Sequence, residues 1–366
     1  MSVTNIVITG GPCAGKSTGM SLIEQELIQK GYKVFVVSET ATDVITGGIK
    51  LTEFNLFDFQ KAIFKIQMEK EKVYKEMAKI YALEKNKNCI ILYDRGLLDA
   101  KSFMPDKMYS ELVKSCGVSE IYVRDSYDGV FHLKTAADGA EEFYTLSNNS
   151  ARSETPEEAR RIDKKCIRAW TGHPHLRVID NSTDFDGKLQ RLLNEIYSLL
   201  GEPVPVEIER KFLIKKPDLE YLSSKYDLTK VNIIQTYLVT SQDKERRIRQ
   251  RGVGSEFSYY YTEKIGKGVS RVEKEKRISQ DEYLKYLMEA DTSLKQIRKD
   301  RYCFIYNNNY IELDIYPFWD DYAIVEVELT SENQEVCLPP ELNVIKEVTY
   351  DDRFKNKSLA KNTDIV

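Results

Sequence analysis

The chain has 366 residues, more than most single cores hold, and so predicts about two domains. With 42% hydrophobic and 31% charged residues and a formal net charge of −4, it reads as a globular protein with no bulk attraction to nucleic acid. No apolar stretch approaches the roughly 20 residues that span a bilayer, and the N-terminus has no apolar signal-peptide core, so no transmembrane segment and a cytoplasmic location are expected. Six scattered cysteines (Cys13, Cys89, Cys116, Cys166, Cys303, Cys337) without a CxxC pair read as free, mostly buried thiols. Three histidines leave little room for His-based chemistry, and His173 and His175, flanking Pro174, read as structural or surface groups.

In chain order, residues 1–200 alternate short apolar runs with long amphipathic stretches, as a doubly wound parallel sheet with crossover helices requires. The expected strands are 5–9, 33–37, 89–93, 129–133 and 176–179, with helices over 57–84 and 184–200. Between the first strand and the next helix, Gly10, Gly11, Pro12, Cys13, Ala14, Gly15, Lys16, Ser17 and Thr18 fit GxxxxGK[ST], a phosphate-binding loop in its proper strand-to-helix setting. There the glycines let backbone N–H groups surround an anion, Lys16 reaches the β- and γ-phosphates, and the Ser17 hydroxyl ligates Mg²⁺. Cys13 is taken as filler in this loop.

Asp94 follows the apolar run 90–93 and faces the nucleotide crevice as the natural metal-linked acid. Glu39 holds the matching place one strand over, as a base or a ligand to magnesium-bound water. Capping of the following segment competes for both. Thr155-Pro-Glu-Glu158 is a capping box that starts a helix whose early turns carry Arg160, Arg161, Lys164, Lys165 and Arg168, with Arg152 ahead of them. A basic lid over the phosphates and a plain solvated face are the two readings of that helix.

Gly201-Glu-Pro-Val-Pro205 breaks any helix and sets the boundary, giving domains 1–200 and 206–366 with a linker at 201–205. From 206 the rhythm becomes strand-like, at 206–214, 231–239, 246–251, 258–264, 271–278, 302–306, 310–316 and 323–329, and only 281–290 reads as helix. So many short strands predict a sheet closed into a barrel or folded as a sandwich. On nearly every strand one face is charged: Glu207, Glu209 and Lys211; Arg247, Arg249 and Arg251; Arg271, Glu273, Glu275 and Arg277; Lys299 and Arg301; Glu312 and Asp314; Glu326 and Glu328. A solvated sheet face predicts scattered polar residues, whereas acids paired on some strands and arginines on others suit a shared lumen where carboxylates hold Mg²⁺ or Mn²⁺ and guanidinium forks hold phosphates.

The loop, Glu39, Asp94-Arg95-Gly96 and the Arg-rich helix resemble the small P-loop kinases that include deoxynucleoside and ribosylnicotinamide kinases; no NKxD element selects guanine. Glu207-Ile-Glu209-Arg-Lys211 is the ExExK signature of the CYTH, or triphosphate tunnel metalloenzyme, superfamily, and about 150 residues resemble it in order, through Arg247-Ile-Arg249, Thr262-Glu-Lys264, Arg271-Val-Glu273, Lys299-Asp-Arg301, Glu312-Leu-Asp314 and Glu326-Val-Glu328. That resemblance implies an eight-stranded antiparallel tunnel in which Glu207, Glu209, Glu326 and Glu328 ligate metal. It puts Lys211, Arg247, Arg249, Lys264, Arg271, Lys299 and Arg301 on phosphates. The pairing of the two halves is similar to bacterial ATPase-CYTH fusions and to the group containing the fly TRPL translocation defect protein.

The expected fold is therefore an α/β P-loop domain followed by a mainly antiparallel β-barrel tunnel. The expected function is a nucleotide-binding protein, with ATP or GTP and Mg²⁺ at the loop, whose tunnel hydrolyses inorganic triphosphate or nucleoside triphosphates, with Glu207, Glu209, Lys211, Asp94 and Glu39 as catalytic candidates. Two alternatives stay open: a nucleotide switch whose tunnel binds polyphosphate or an anionic lipid headgroup, and a nucleoside or metabolite kinase with a regulatory tunnel. Cyclisation in the tunnel is a weaker fourth option.

Overall fold

The computed structural model describes residues 2–143, 155–202, 208–240, 244–265, 272–329 and 336–363. The chain folds as two compact units, Met1–Ile196 and Tyr197–Val366. The division falls within helix α7 (Phe185–Leu200). Residues 203–205 of the expected linker lie outside the described residues.

In the first unit five parallel strands, β1 (Val3–Gly10), β2 (Lys33–Val37), β3 (Cys89–Asp94), β4 (Gly129–Leu133) and β5 (Leu176–Ile179), pair in the order β2-β3-β1-β4-β5. Ile6, Val7 and Ile8 of β1 and Cys89, Ile90, Ile91 and Leu92 of β3 are inaccessible to water, as strands covered on both faces by crossover helices must be. The crossovers include α1 (Lys16–Gln29), α2 (Thr40–Thr46), the 30-residue α3 (Leu56–Lys85), α4 (Asp106–Ser115), α5 (Glu120–Arg124) and α6 (Pro156–Trp170). Chain order reverses at β1, which pairs with β3 on one side and β4 on the other. Register sets Ile8 beside Asp94 and Gly10 beside Leu133, so the carboxyl ends of three strands open together at this switch point.

The second unit is one antiparallel sheet. It contains β6 (Ile208–Lys215), β7 (Thr229–Tyr237), β8 (Lys244–Val253), β9 (Glu256–Ile265), β10 (Val272–Ile278), β11 (Ile297–Tyr306), β12 (Asn309–Ile315), β13 (Tyr322–Leu329) and β14 (Val344–Glu347), in the order β10-β9-β8-β7-β11-β12-β13-β6-β14. Eight strands match the expected tunnel, and the short β14 adds a ninth at the edge of β6. Three strands separate β6 from β7 within the sheet, yet Leu213 of β6 and Tyr237 of β7 share one buried cluster with Ile297, Tyr316 and Ile324. The sheet is thus curled, and the face bearing these side chains lies inside the curl.

Two expectations are corrected. The helical segment expected at 281–290 is α9 (Gln280–Leu287), but α8 (Leu219–Lys225) and α10 (Asn356–Lys361) are helical too. Each makes no more than two turns, too short for a periodic signal. Asp218 caps α8 by accepting from the N–H groups of Glu220 and Tyr221, while Leu222 seals the outer core of Phe212, Ile214, Phe304, Ile311, Leu313, Val325 and Val327. Among the six cysteines, Cys89, Cys166 and Cys303 are buried and Cys337 is exposed. Among the described residues no helix is long and apolar enough to cross a membrane.

Gly10 ends β1 at φ 149°, and a Cβ there would overlap the Leu133 carbonyl oxygen of β4. Gly10→Ala should therefore lower the stability of the first unit by about 3 kcal/mol or more. Urea titration should show an early transition for the residues of that unit and an unchanged one for the second; a single unaltered transition would exclude the overlap.

Candidate functional site

The phosphate loop leaves β1 at Gly10 and enters α1 at Lys16 through Gly15, which sits at φ 86° with the Phe185 ring 2.6 Å from where a Cβ would be. Only glycine meets both demands. Cys13 lies at φ 56°, the left-handed region that favours glycine, so it is strained rather than simple filler. Lys16 is buried, whereas Ser17 and Thr18 are exposed at the start of α1. The carbonyls of Pro12, Cys13 and Ala14 are each taken from behind, by the Thr135 hydroxyl at 2.5 Å, the Ala136 N–H at 3.1 Å and the Lys188 ammonium at 3.2 Å. On the buried face of α6, one Asp163 oxygen accepts from the N–H groups of Gly11 (2.8 Å) and Thr135 (3.1 Å) and lies 3.1 Å from His132 Nε2. Burial alone would raise the Asp163 carboxyl, but His132 and the two N–H groups hold it below its usual range.

Beside the loop stand Glu39, Asp94, Arg95 and Asp99. Arg95 has φ 68° and is fixed by Gln67 of α3, which donates to its carbonyl at 2.9 Å, by Glu39 Oε1 at 2.7 Å from Nε, and by Asp99 at 3.7 Å. Asp99 in turn accepts from the Thr9 hydroxyl and, at 2.8 Å, from the Gly96 N–H. Burial would raise Glu39, but Arg95 and Lys16, with a 2.7 Å hydrogen bond from Thr42, bring it down to about 2. A carboxylate that acidic is a poor base at neutral pH. For Asp94, burial reinforced by Glu39 and Asp99 raises the carboxyl in spite of Lys16 and Arg95, and its buried Oδ1 has no hydrogen-bond partner among the described residues. Such an orphan acceptor suits a metal-bound water.

Inside the curled sheet, register aligns the charged side chains. Glu209 lies opposite Glu328, and Lys211 opposite Glu326. Glu326 faces Glu312, and Arg301 faces Asp314. Arg247, Arg249 and Arg251 stand beside Thr262, Tyr260 and Ser258. Arg301 is a hub: Nε and Nη2 donate to the two Asp314 oxygens at 2.7 Å each, Nη2 also reaches Glu326 at 2.6 Å, and Nη1 binds Glu312. Lys299 pairs with Asp314, and Arg249 with Glu275 at 2.6 Å. Lys211 bridges Glu326 at 2.9 Å and Glu209 at 3.2 Å. Burial opposes ionisation in this cluster, yet Lys211, Lys299 and Arg301 hold Glu326 well below the usual range, and the facing carboxylates hold Lys211 above its own.

Comparison with known proteins matches residues 5–188 to the AAA domain model and residues 206–342 to the CYTH domain model. The inorganic triphosphatase of Nitrosomonas europaea is 35% identical over 158 residues, 42% of this chain and 96% of that protein. The chain belongs to the AAA and CYTH domain families. A solved inorganic triphosphatase structure is 32% identical, covering 42% of this chain and 94% of its own, with a TM-score of 0.31. A Pyrococcus horikoshii protein is 18% identical over 34% of this chain and 80% of its own, at 0.28.

In the AAA domain the structure brings Lys16, Glu39, Asp94 and Arg95 together. Arg160 donates to the Ala137 carbonyl at 2.5 Å, one residue on from the Ala136 that bonds the loop, and pairs with Glu157 at 2.8 Å. Arg161, Lys164, Lys165 and Arg168 are exposed, on the side of α6 away from Asp163. In the CYTH domain Glu209, Lys211, Arg247, Arg249, Lys299, Arg301, Glu326 and Glu328 share the inner face, and Lys264 joins them by register with Glu245. Lys299 and Arg301, expected on phosphates, are engaged by Asp314, Glu312 and Glu326. Glu207, Arg271, Arg152 and Glu154 lie outside the described residues. Sequence reasoning missed Asp163, Lys188, Asn181, Thr135 and Asp99. Of these only Asp163 gave a signal, as a carboxylate on the apolar stripe of Ala159, Cys166, Ile167 and Trp170.

Because the folded-state value of Glu39 is depressed to about 2, its contribution is present above the unfolded value near 4.5 and is lost as pH falls toward 2. Glu39→Gln should cost at most about 3 kcal/mol at pH 7. The difference from wild type should shrink between pH 4.5 and about 2 in urea unfolding of the AAA domain; a difference independent of pH would show that Glu39 is not stabilised as an anion.

Proposed function

We propose that the CYTH half is a metal-dependent hydrolase of inorganic triphosphate and related triphosphates, and that the AAA half binds MgATP or MgGTP at residues 10–18. The observation that carries the first reading is register: Glu209 stands directly opposite Glu328 at one end of an inner face otherwise rich in Arg and Lys. Like charges placed face to face on neighbouring strands are destabilising unless a cation joins them. The 35% identity to an inorganic triphosphatase across nearly its whole length supports the same reading.

The donor set fits Mg²⁺ or Mn²⁺, since carboxylate oxygens are the ligands such hard cations select, and Glu207 of the ExExK signature would add a third. Glu209 and Glu328 would hold the cation, which when bound would supply a more acidic water as nucleophile. The protein supplies the rest. Lys211 fixes the direction of Glu209 while its charge is shared with Glu326. Arg247, Arg249 and Arg251, on the inner face of β8, neutralise charge that builds on the bridging and terminal phosphate oxygens as the bond breaks. Arg301, locked by three carboxylates, keeps β11, β12 and β13 in register behind them. In the AAA domain Ser17 and Asp94 are the residues that would hold Mg²⁺ beside the nucleotide.

The test is phosphate release from tripolyphosphate, ATP and GTP with Mg²⁺ or Mn²⁺. Glu209→Gln should lower tripolyphosphate cleavage on the order of 100-fold or more. Lys16→Ala should spare it. Loss with Lys16→Ala alone would move the activity to the AAA domain, and no turnover of any substrate would refute a hydrolase.

A further inference from the structure

Lys188 of α7 is 3% exposed, and its ammonium donates to three neutral oxygens: the Lys134 carbonyl at 2.6 Å, the Asn181 side chain at 2.7 Å and the Ala14 carbonyl at 3.2 Å. Among the described residues no carboxylate lies within ion-pair distance of it. A buried cation without a direct counter-ion costs several kcal/mol, so a site that keeps one has an anion to match or a structural use for the charge. Here the structural use is the phosphate loop itself. The Ala14 carbonyl that Lys188 holds belongs to the phosphate loop, and it is the last of three consecutive carbonyls pulled away from the ligand side, after Pro12 by Thr135 and Cys13 by Ala136. Turning those carbonyls back leaves the loop's N–H groups facing the anion. Asn181 ties the arrangement together, donating to the carbonyls of Thr135 (2.8 Å) and Asp138 (2.7 Å) while accepting from Lys188.

We propose that Lys188 is a positioning residue for the phosphate loop, holding the Ala14 carbonyl outward, and that bound nucleotide phosphate supplies the anion its buried charge lacks. This rests on the reading of residues 10–18 as a nucleotide site. The charged groups around Lys188 are Asp163 from α6, Asp180 after β5, Arg191 from α7 and Lys134 after β4. Burial lowers the ammonium to about 8, with Arg191 and Lys134 adding to burial and Asp163 and Asp180 opposing it. A phosphate anion raises it again. Below pH 8 the group is protonated in both free and bound protein; above, binding must take up a proton, so affinity falls as pH rises.

Titration calorimetry of the full chain with MgATP and with MgGTP tests this from pH 7 to 9. Wild type should lose affinity with rising pH and take up protons at pH 8, judged in buffers of different ionisation enthalpy. Lys188→Met should bind about 10- to 100-fold more weakly at pH 7, the range for losing a charged hydrogen bond, with a flat pH profile. Wild-type affinity constant from pH 7 to 9, a reading that needs no variant, would overturn the proposal, as would equal affinity in Lys188→Met. If wild type binds neither nucleotide, it is the assignment of the loop that fails.

Discussion

Concentrating positive charge inside a protein creates self-repulsion, and both halves of this chain are organised around offsetting it. The CYTH half does so with carboxylates. Arg301 spreads its charge over Asp314, Glu312 and Glu326, Lys299 shares Asp314, Lys211 shares Glu326, and Arg249 takes Glu275. Because Arg301 pairs with Asp314 and Glu312 on the neighbouring strand, and Lys211 with Glu326 on its own neighbour, these ion pairs also help specify which strand neighbours which. A one-residue slip would turn every one of these side chains out of the curl and bring the apolar set in. The burial of so many ions is tolerable only with this saturation of hydrogen bonds.

The AAA half uses a different currency. The loop relies on backbone dipoles, so its charged residues are held by few and specific contacts: Arg95 by Glu39 and Asp99, Lys188 by carbonyl oxygens, Asp163 by two N–H groups and His132. Asp163 is a negative charge set beside an anion site, which would be counterproductive if it faced the ligand. It points instead at the Gly11 N–H at the entry of the loop, and three donors absorb its charge. Arg95 shows the matching strain, a non-glycine residue at φ 68° kept there by a glutamine from α3 and two carboxylates.

The strands of both halves were legible because apolar runs and two-residue alternation are local signals, and the loop was legible because GxxxxGKS packs its chemistry into eight consecutive residues. The inner face of the CYTH half was legible for the same reason, since alternation assigns each charge to a side. What alternation cannot show is who pairs with whom. Arg301 reads from sequence as a phosphate ligand, and only the register of β11, β12 and β13 reveals three carboxylates around it. Asp163 and Lys188 reach the loop across 152 and 174 residues of chain, distances at which no spacing rule operates. The helices α8 and α10 escaped because two turns or fewer are too short for a periodic signal.

Glu209 and Glu328 form an acid-on-acid row, and Lys211 reaches Glu209 from the next row at 3.2 Å. Deeper along the same two strands, the matching row is Lys211 opposite Glu326, a pair of opposite sign that closes on itself. At Glu209 and Glu328 the strands carry two acids face to face, and Glu209 is exposed. The other acid-on-acid row, Glu326 facing Glu312, is bridged by Arg301, and a divalent cation proposed for Glu209 and Glu328 would play the corresponding part at the accessible end.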